Sequence, residues 1–191
     1  LTSGDYNVAL GYDSLLVNTT GAYNVAIGRN SLVTNTTGAS NVAIGGSAAL
    51  RRNTEGDHNV AVGYNALEEN TTADNNTAVG KNALTANTTG TNNVAVGANA
   101  GDAVTTGDDN TALGDNALGT STTASDNTAV GSQALVANTS GHSGVSVGTN
   151  ALTANTTALY NTAMGLNALT ANTTGAENTG IGQGALYSNT T

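Results

Sequence analysis

The sequence predicts an all-β fold, a parallel β-solenoid or β-roll of about eleven 17-residue coils that spans residues 1–191 as a single repeat array. The first reason is composition: the 191 residues include 25 Gly and no Pro, Cys, Trp or Phe, too little bulk for one thick core. The second is a repeated motif, Asn-(Val/Thr)-Ala-(Val/Ile/Leu)-Gly. Its glycines are Gly11, Gly28, Gly45, Gly63, Gly80, Gly97, Gly114, Gly131, Gly148, Gly165 and Gly182. All intervals between successive glycines are equal except the one from Gly45 to Gly63, which is longer by a single residue. So constant a period is typical of a solenoid.

The strand of each coil is predicted at the five-residue motif. In residues 59–63, Val60 and Val62 fall on one face while Asn59, Ala61 and Gly63 fall on the other, the period of a strand. A helix over the following Asn-Ala-Leu segment is the competing interpretation, but so short a repeat leaves no room for one beside a strand and two turns. A unit of this size cannot bury its own apolar face, so the coils must stack. At about 4.8 Å per coil they would form a rod about 50 Å long.

The two faces of the predicted strands carry different side chains. The residue before the motif glycine is always bulky, and we call these residues the outer stripe: Leu10, Ile27, Ile44, Val62, Val79, Val96, Leu113, Val130, Val147, Met164 and Ile181. The opposite face carries Ala in nine coils, with Ser146 and Gly180 as exceptions. If Ala and the recurring Leu fill a narrow interior, the outer stripe lies outside and needs a partner chain. In the alternative, Val and Ile fill a wider monomeric solenoid and Ala faces a lateral layer.

The asparagine that opens the motif recurs in ten of eleven coils, with Gly144 as the exception. Stacked side-chain amides can donate and accept along the rod axis, so these residues are predicted to form a structural ladder that satisfies turn backbone. We call them the motif asparagines: Asn7, Asn24, Asn41, Asn59, Asn76, Asn93, Asn110, Asn127, Asn161 and Asn178.

An Asn-Thr-Thr segment follows most of the strands, and its side chains are expected to bond their own turn backbone. It also matches the N-glycosylation signal, at Asn18, Asn35, Asn70, Asn87, Asn138, Asn155, Asn172 and Asn189. In a bacterial or viral protein that match is a by-product of the repeat. The Thr rows raise an ice-binding hypothesis, but adjacent residues such as Thr71 and Thr72 would point to opposite faces of a strand.

Acidic residues recur on the turn before the motif asparagine, at Asp57, Asp74, Asp108, Asp109 and Asp126. Carboxylates that converge from neighbouring coils could hold Ca²⁺, which prefers oxygen ligands. No EF-hand or nonapeptide calcium motif is present, and solvated turns ordinarily carry acids. Ca²⁺ is therefore the only cofactor candidate.

Charge and composition exclude several functions. Thirteen acids against four bases give a net charge of −9, which argues against binding to nucleic acid or anionic membranes. No apolar run approaches the roughly 20 residues of a membrane span. His58 and His142 occupy different phases of the repeat, and no nucleophile motif accompanies them. The sequence therefore predicts no catalytic activity.

Two coils depart from the pattern and are candidates for local specialisation. The coil at residues 46–62 contains the extra residue, read as a local bulge, and carries Arg51 and Arg52. In the coil at residues 98–114, Gly101 replaces the recurring Leu and Val104 replaces the Asn of Asn-Thr-Thr. Val104 is expected to turn inward and substitute for the missing Leu. Drift and a docking role both remain open for these coils.

Segments 76–80, 82–84, 87–90 and 184–191 resemble the repeat arrays of bacterial and phage tail-fibre-domain proteins. The segment 24–28 is also similar to the head repeats of trimeric autotransporter adhesins. The resemblance implies a left-handed parallel β-roll in a homotrimer, located outside the cell, on a cell surface or on a virion.

The expected function is that of a structural or adhesive extracellular fibre segment from a surface appendage, tail fibre or filament. Its expected partners are copies of itself, as a homotrimer or an end-to-end filament, and a cell-surface glycan bound through many weak contacts. The array has no atypical repeat at either end, which suggests a segment of something longer. The alternative is a monomeric solenoid that binds glycan or ice through one face.

Overall fold

A computed structural model describes residues 4–191; residues 1–3, the start of the predicted array, lie outside the described part. One short strand occurs in each repeat. The strands are β1 Val8–Leu10, β2 Val25–Ile27, β3 Val42–Ile44, β4 Val60–Val62, β5 Thr77–Val79, β6 Val94–Val96, β7 Thr111–Leu113, β8 Thr128–Val130, β9 Val145–Val147, β10 Thr162–Met164 and β11 Thr179–Ile181. Each lies within the predicted five-residue motif but is shorter, because the motif glycine leaves the extended conformation, as at Gly80 with a φ of 138°.

The eleven strands form one parallel sheet in which the spatial order equals the chain order. Equivalent residues pair directly, for example Ala78 with Ala95 one repeat later. The register holds across the longer coil, where Val42 pairs with Val60. The extra residue is accommodated in the turn at the exposed Gly46. The prediction of an all-β parallel solenoid with one strand in each repeat is confirmed.

Turns connect the strands, and the competing helix does not form within the described residues. In the representative coil 76–92, Asn82, Leu84 and Asn92 have φ values of 57°, 50° and 58°, all in the left-handed region. Asn is among the residues that tolerate this region. Three such reversals in each coil fold the repeat into a closed turn of the solenoid.

The interior of the solenoid is narrow and is built from five columns of side chains. In coil 76–92 these are Asn76, Ala78, Ala83, Leu84 and Asn87, each at most 1% exposed. Ala thus faces inward, and the first and third residues of each strand face outward. This decides between the two interpretations of the strand faces in favour of the narrow interior, because the middle strand residue is buried whereas the outer stripe is not.

Over residues 4–191, no helical segment reaches the length and hydropathy that a bilayer crossing requires.

Candidate functional site

The outward sheet face carries two columns of uncharged side chains along the whole sheet. It consists of the outer stripe and of the column at the first strand position, which holds six Val and five Thr. All four strands β1 to β4 begin with Val, whereas Thr begins β5, β7, β8, β10 and β11. The inner strands' outward side chains are mostly half-buried against their neighbours, and Val96 and Met164 are 40% and 42% exposed. No charged side chain interrupts either column.

The motif asparagines lie inside the solenoid and bond both ways along its axis. The Asn76 backbone N–H donates to Oδ1 of Asn59 at 3.0 Å, and Asn76 Oδ1 accepts from the Asn93 N–H at 2.9 Å. Asn76 Nδ2 donates to the carbonyl of Gly90 at 2.8 Å. Each side-chain amide therefore satisfies a backbone carbonyl of its own coil and a backbone N–H of the following coil, which would otherwise be buried without partners.

At Gly144 the ladder loses a side chain. The Gly144 N–H still donates to Oδ1 of Asn127 at 2.9 Å, so the ladder reaches this coil. Gly144 has no amide to offer Asn161, and the ladder resumes where Asn178 N–H donates to Asn161 Oδ1.

A second asparagine ladder was not anticipated from the sequence. We call its members the turn asparagines: Asn18, Asn35, Asn53, Asn70, Asn87, Asn138, Asn155, Asn172 and Asn189. As expected, Asn35 Nδ2 bonds its own turn, at the Gly38 carbonyl. It also donates to Asn18 Oδ1 one coil earlier at 2.8 Å. The regular spacing of these residues, equal to that of the motif glycines, was the signal for this ladder.

The predicted glycosylation signals coincide with these turn asparagines. Apart from Asn189 in the last coil, the asparagines to which a glycan would be attached are 0–3% exposed. Their Nδ2 atoms donate hydrogen bonds inside the solenoid. Attachment of a glycan would require each coil to open.

The threonines of Asn-Thr-Thr form two adjacent columns, and the expectation for them was wrong in two respects. The first Thr hydroxyl bonds the next coil rather than its own turn, as when Thr71 Oγ1 donates to the Thr88 carbonyl at 3.2 Å. Thr71 and Thr72 lie in a bend rather than in a strand, so the strand period of two does not apply to them. The second column is exposed in every coil and holds Thr in all but two, where Glu55 and Ser140 stand.

The acidic candidates for Ca²⁺ fall into two columns. Asp57, Asp74 and Asp108 each accept a backbone N–H from the preceding coil at 2.6–2.7 Å. Asp109 and Asp126 lie one residue later in the repeat, with φ values of 57° and 61°. Among the described residues, no three His, Cys, Asp or Glu side chains group as metal ligands.

The remaining polar candidates are also bonded along the axis. His142 Nδ1 accepts the backbone N–H of Ser125 at 2.9 Å. Arg51 pairs with Glu68 at 2.9 Å and Arg52 with Glu69 at 3.0 Å, so the bases of the longer coil bind the next coil. The surface formed by residues 4–191 encloses no pocket.

The irregular coil 98–114 rearranges its interior. Val104 is fully buried, as expected, and stands at the position of a turn asparagine. Gly101 keeps the backbone conformation of the Leu it replaces, with a φ of 57°. Burial raises the pKa of the nearby Asp102 carboxyl, although backbone hydrogen bonds from Asp102 and Ala103 lower it.

No protein-family model, curated protein or solved structure matches this chain.

Proposed function

We propose that this chain is a structural segment of an extracellular fibre, a left-handed solenoid that associates laterally with copies of itself, as a homotrimer, through the outward sheet face. The observation that carries the proposal is this face: two uncharged columns run the full length of an eleven-stranded sheet. Large exposed apolar patches mark interaction sites in soluble proteins, and the outer stripe supplies one continuous apolar column of this face.

The size of the face bears on how strongly copies would associate. Eleven coils at about 4.8 Å and a strand about 10 Å wide present roughly 500 Å² per copy. A standard stable interface buries about 800 Å² per partner. Association of this segment should therefore depend on concentration, and it should strengthen with every coil added to the array.

A fibre of this kind acts mechanically. Hydrogen bonds between neighbouring coils stiffen the rod. Its repeated polar turns can make many weak contacts with a cell-surface glycan, and the avidity of these contacts replaces a single strong site. The repeat resemblance supports the location outside the cell or on a virion. End-to-end stacking of copies would extend the same coil-to-coil bonding into a filament.

The test is the mass of the intact chain in solution by light scattering across a range of concentrations. Multiples of the 18.7 kDa chain are expected, and Val62→Lys with Val79→Lys should yield monomers because each charge would have to be desolvated in the interface. The matched control, Thr72→Lys with Thr89→Lys, adds the same charge to the exposed Thr column and should leave the assembly intact. Circular dichroism verifies that both variants fold. A parent chain that is monomeric at all concentrations refutes self-association.

The exposed Thr column favours a second candidate, a monomeric solenoid whose Thr face binds ice or glycan. All coils but the one with Glu55 present a hydroxyl there, beside a column whose hydroxyls are held by carbonyls. An ice-recrystallisation assay and a glycan-array screen with the parent chain test it. A Thr72→Lys/Thr89→Lys variant that retains the measured activity would count against this face.

A further inference from the structure

The turn-asparagine ladder is continuous in two blocks and interrupted between them. The first block runs from Asn18 to Asn87, and within it each Nδ2 donates to Oδ1 of the preceding turn asparagine at 2.8–3.1 Å. The second block runs from Asn138 to Asn189, and the same Nδ2-to-Oδ1 hydrogen bonds measure 3.0–3.3 Å. Between Asn87 and Asn138 the column holds Val104 and Ser121, so three consecutive links are missing.

The interruption leaves polar atoms without partners. Asn87 and Ser121 are fully buried, yet Asn87 Oδ1 and Ser121 Oγ have no hydrogen bond partner. Val104, which lies between them in the column, offers only methyl groups. A buried polar atom without a partner is destabilising because it has lost its hydration and gained nothing in exchange.

The backbone and the apolar interior weaken at the same place. In every coil but one from Thr34 to Ala171, the residue two positions after the Leu column donates its N–H to the next coil, as Ala86 does to Asp102 and Thr120 does to Val136. Among the described bonds, none joins Ala103 to Gly119. Gly101 also removes one Leu from the core, and Val104 replaces only part of its volume.

Other bonds keep these coils attached. Strands β6 to β8 remain paired, and the Thr hydroxyl column continues across the interruption through Thr88, Thr105 and Thr122. The interface between the two blocks is therefore weakened rather than absent.

A solenoid's cooperativity depends on the coupling between neighbouring coils, because no other contacts join distant parts of the rod. A coil with weaker coupling opens at lower free energy than coils on either side. We infer that residues 98–122 form a weak seam, at which the rod opens or bends while the coils before and after it stay folded. The inference stands whether or not the chain self-associates.

Native-state hydrogen exchange of the intact chain, followed by mass spectrometry, tests the seam. Amides of residues 98–122 should exchange roughly tenfold or more faster than those of the equivalent residues 64–88, the difference expected for the loss of one or two net hydrogen bonds. Equal exchange rates in the two segments of the parent chain would overturn the inference without any variant.

Two variants examine the cause. Gly101→Leu with Val104→Asn and Ser121→Asn restores the regular columns, and exchange over 98–122 should slow to the rate of 64–88. A Cβ at Gly101 would lie 3.1 Å from Leu84 Cδ2 and 3.6 Å from Val104 Cγ2, so a small shift of side-chain ends admits it. The converse variant, Leu67→Gly with Asn70→Val, should create a second fast segment at 64–88. Unchanged exchange in both variants would show that these columns do not set the opening.

Discussion

Leu84 is held in the left-handed conformation, with a φ of 50°, although its side chain has no polar group to stabilise it. That conformation costs about 1–2 kcal/mol per residue for L-amino acids. The cost is tolerated because it turns the side chain to the solenoid axis, where Leu84 and its neighbours in the column are 0–1% exposed. The sequence showed that Leu recurs, but the torsion that puts it inside was visible only in the structure.

The Asp102 carboxyl yields a prediction about pH. Its pKa is raised mainly by burial, so the stability linked to its protonated form is present below its ordinary pKa and is lost as pH rises through the raised value. Asp102→Asn should therefore raise the melting temperature at about pH 7 and have a smaller effect at about pH 3.

Thermal unfolding of both chains at the two pH values measures this difference. Asp115→Asn, at an exposed position, controls for the change in net charge. A lower melting temperature for Asp102→Asn at neutral pH would show that the Asp102 charge stabilises the fold.

At the scale of the element, the coil is a three-residue strand followed by tight turns, and the motif glycine is the junction. Gly80 has a φ of 138°, and a Cβ there would collide with the carbonyl of Gly97 in the next coil. That conformation is essentially confined to Gly. The period of two located each strand correctly, whereas its length depended on this junction, which no periodicity reveals.

A pair of glycine substitutions tests that account of the element. Gly80→Ala should destabilise the protein by about 2 kcal/mol or more, because it adds backbone strain to a steric overlap. Gly46→Ala, where a Cβ meets nothing within 4 Å, should be neutral or stabilise by about 0.4–1 kcal/mol. Chemical denaturation gives both values. Equal effects at the two positions would contradict the proposed role of Gly80.

At the scale of the whole molecule, the net charge of −9 is spread along a rod whose outward sheet face carries no charge. Copies of the chain therefore repel one another as they approach, while the proposed interface itself contains no ion pairs. Added salt screens repulsion between exposed charges.

The proposed self-association should consequently strengthen when the salt concentration rises from about 0.01 M to about 0.5 M. Sedimentation velocity at fixed protein concentration measures the distribution of species. Dissociation at high salt would instead point to an interface held by ion pairs, at odds with the outward sheet face.

The sequence by itself determined the period, the number of strands, the strand positions and the inward turn of Val104, because stacking makes each coil repeat the chemistry of the one before. It also singled out the outer stripe and the motif asparagines. Only the tertiary structure decided that Ala78 and not Val79 faces the interior, since that depends on the width of a closed coil. It alone revealed that Thr71 bonds Thr88 and that Val104 leaves Asn87 Oδ1 without a partner. Those relations join residues about one coil apart, and their hydrogen bonds depend on distances that neither composition nor spacing specifies.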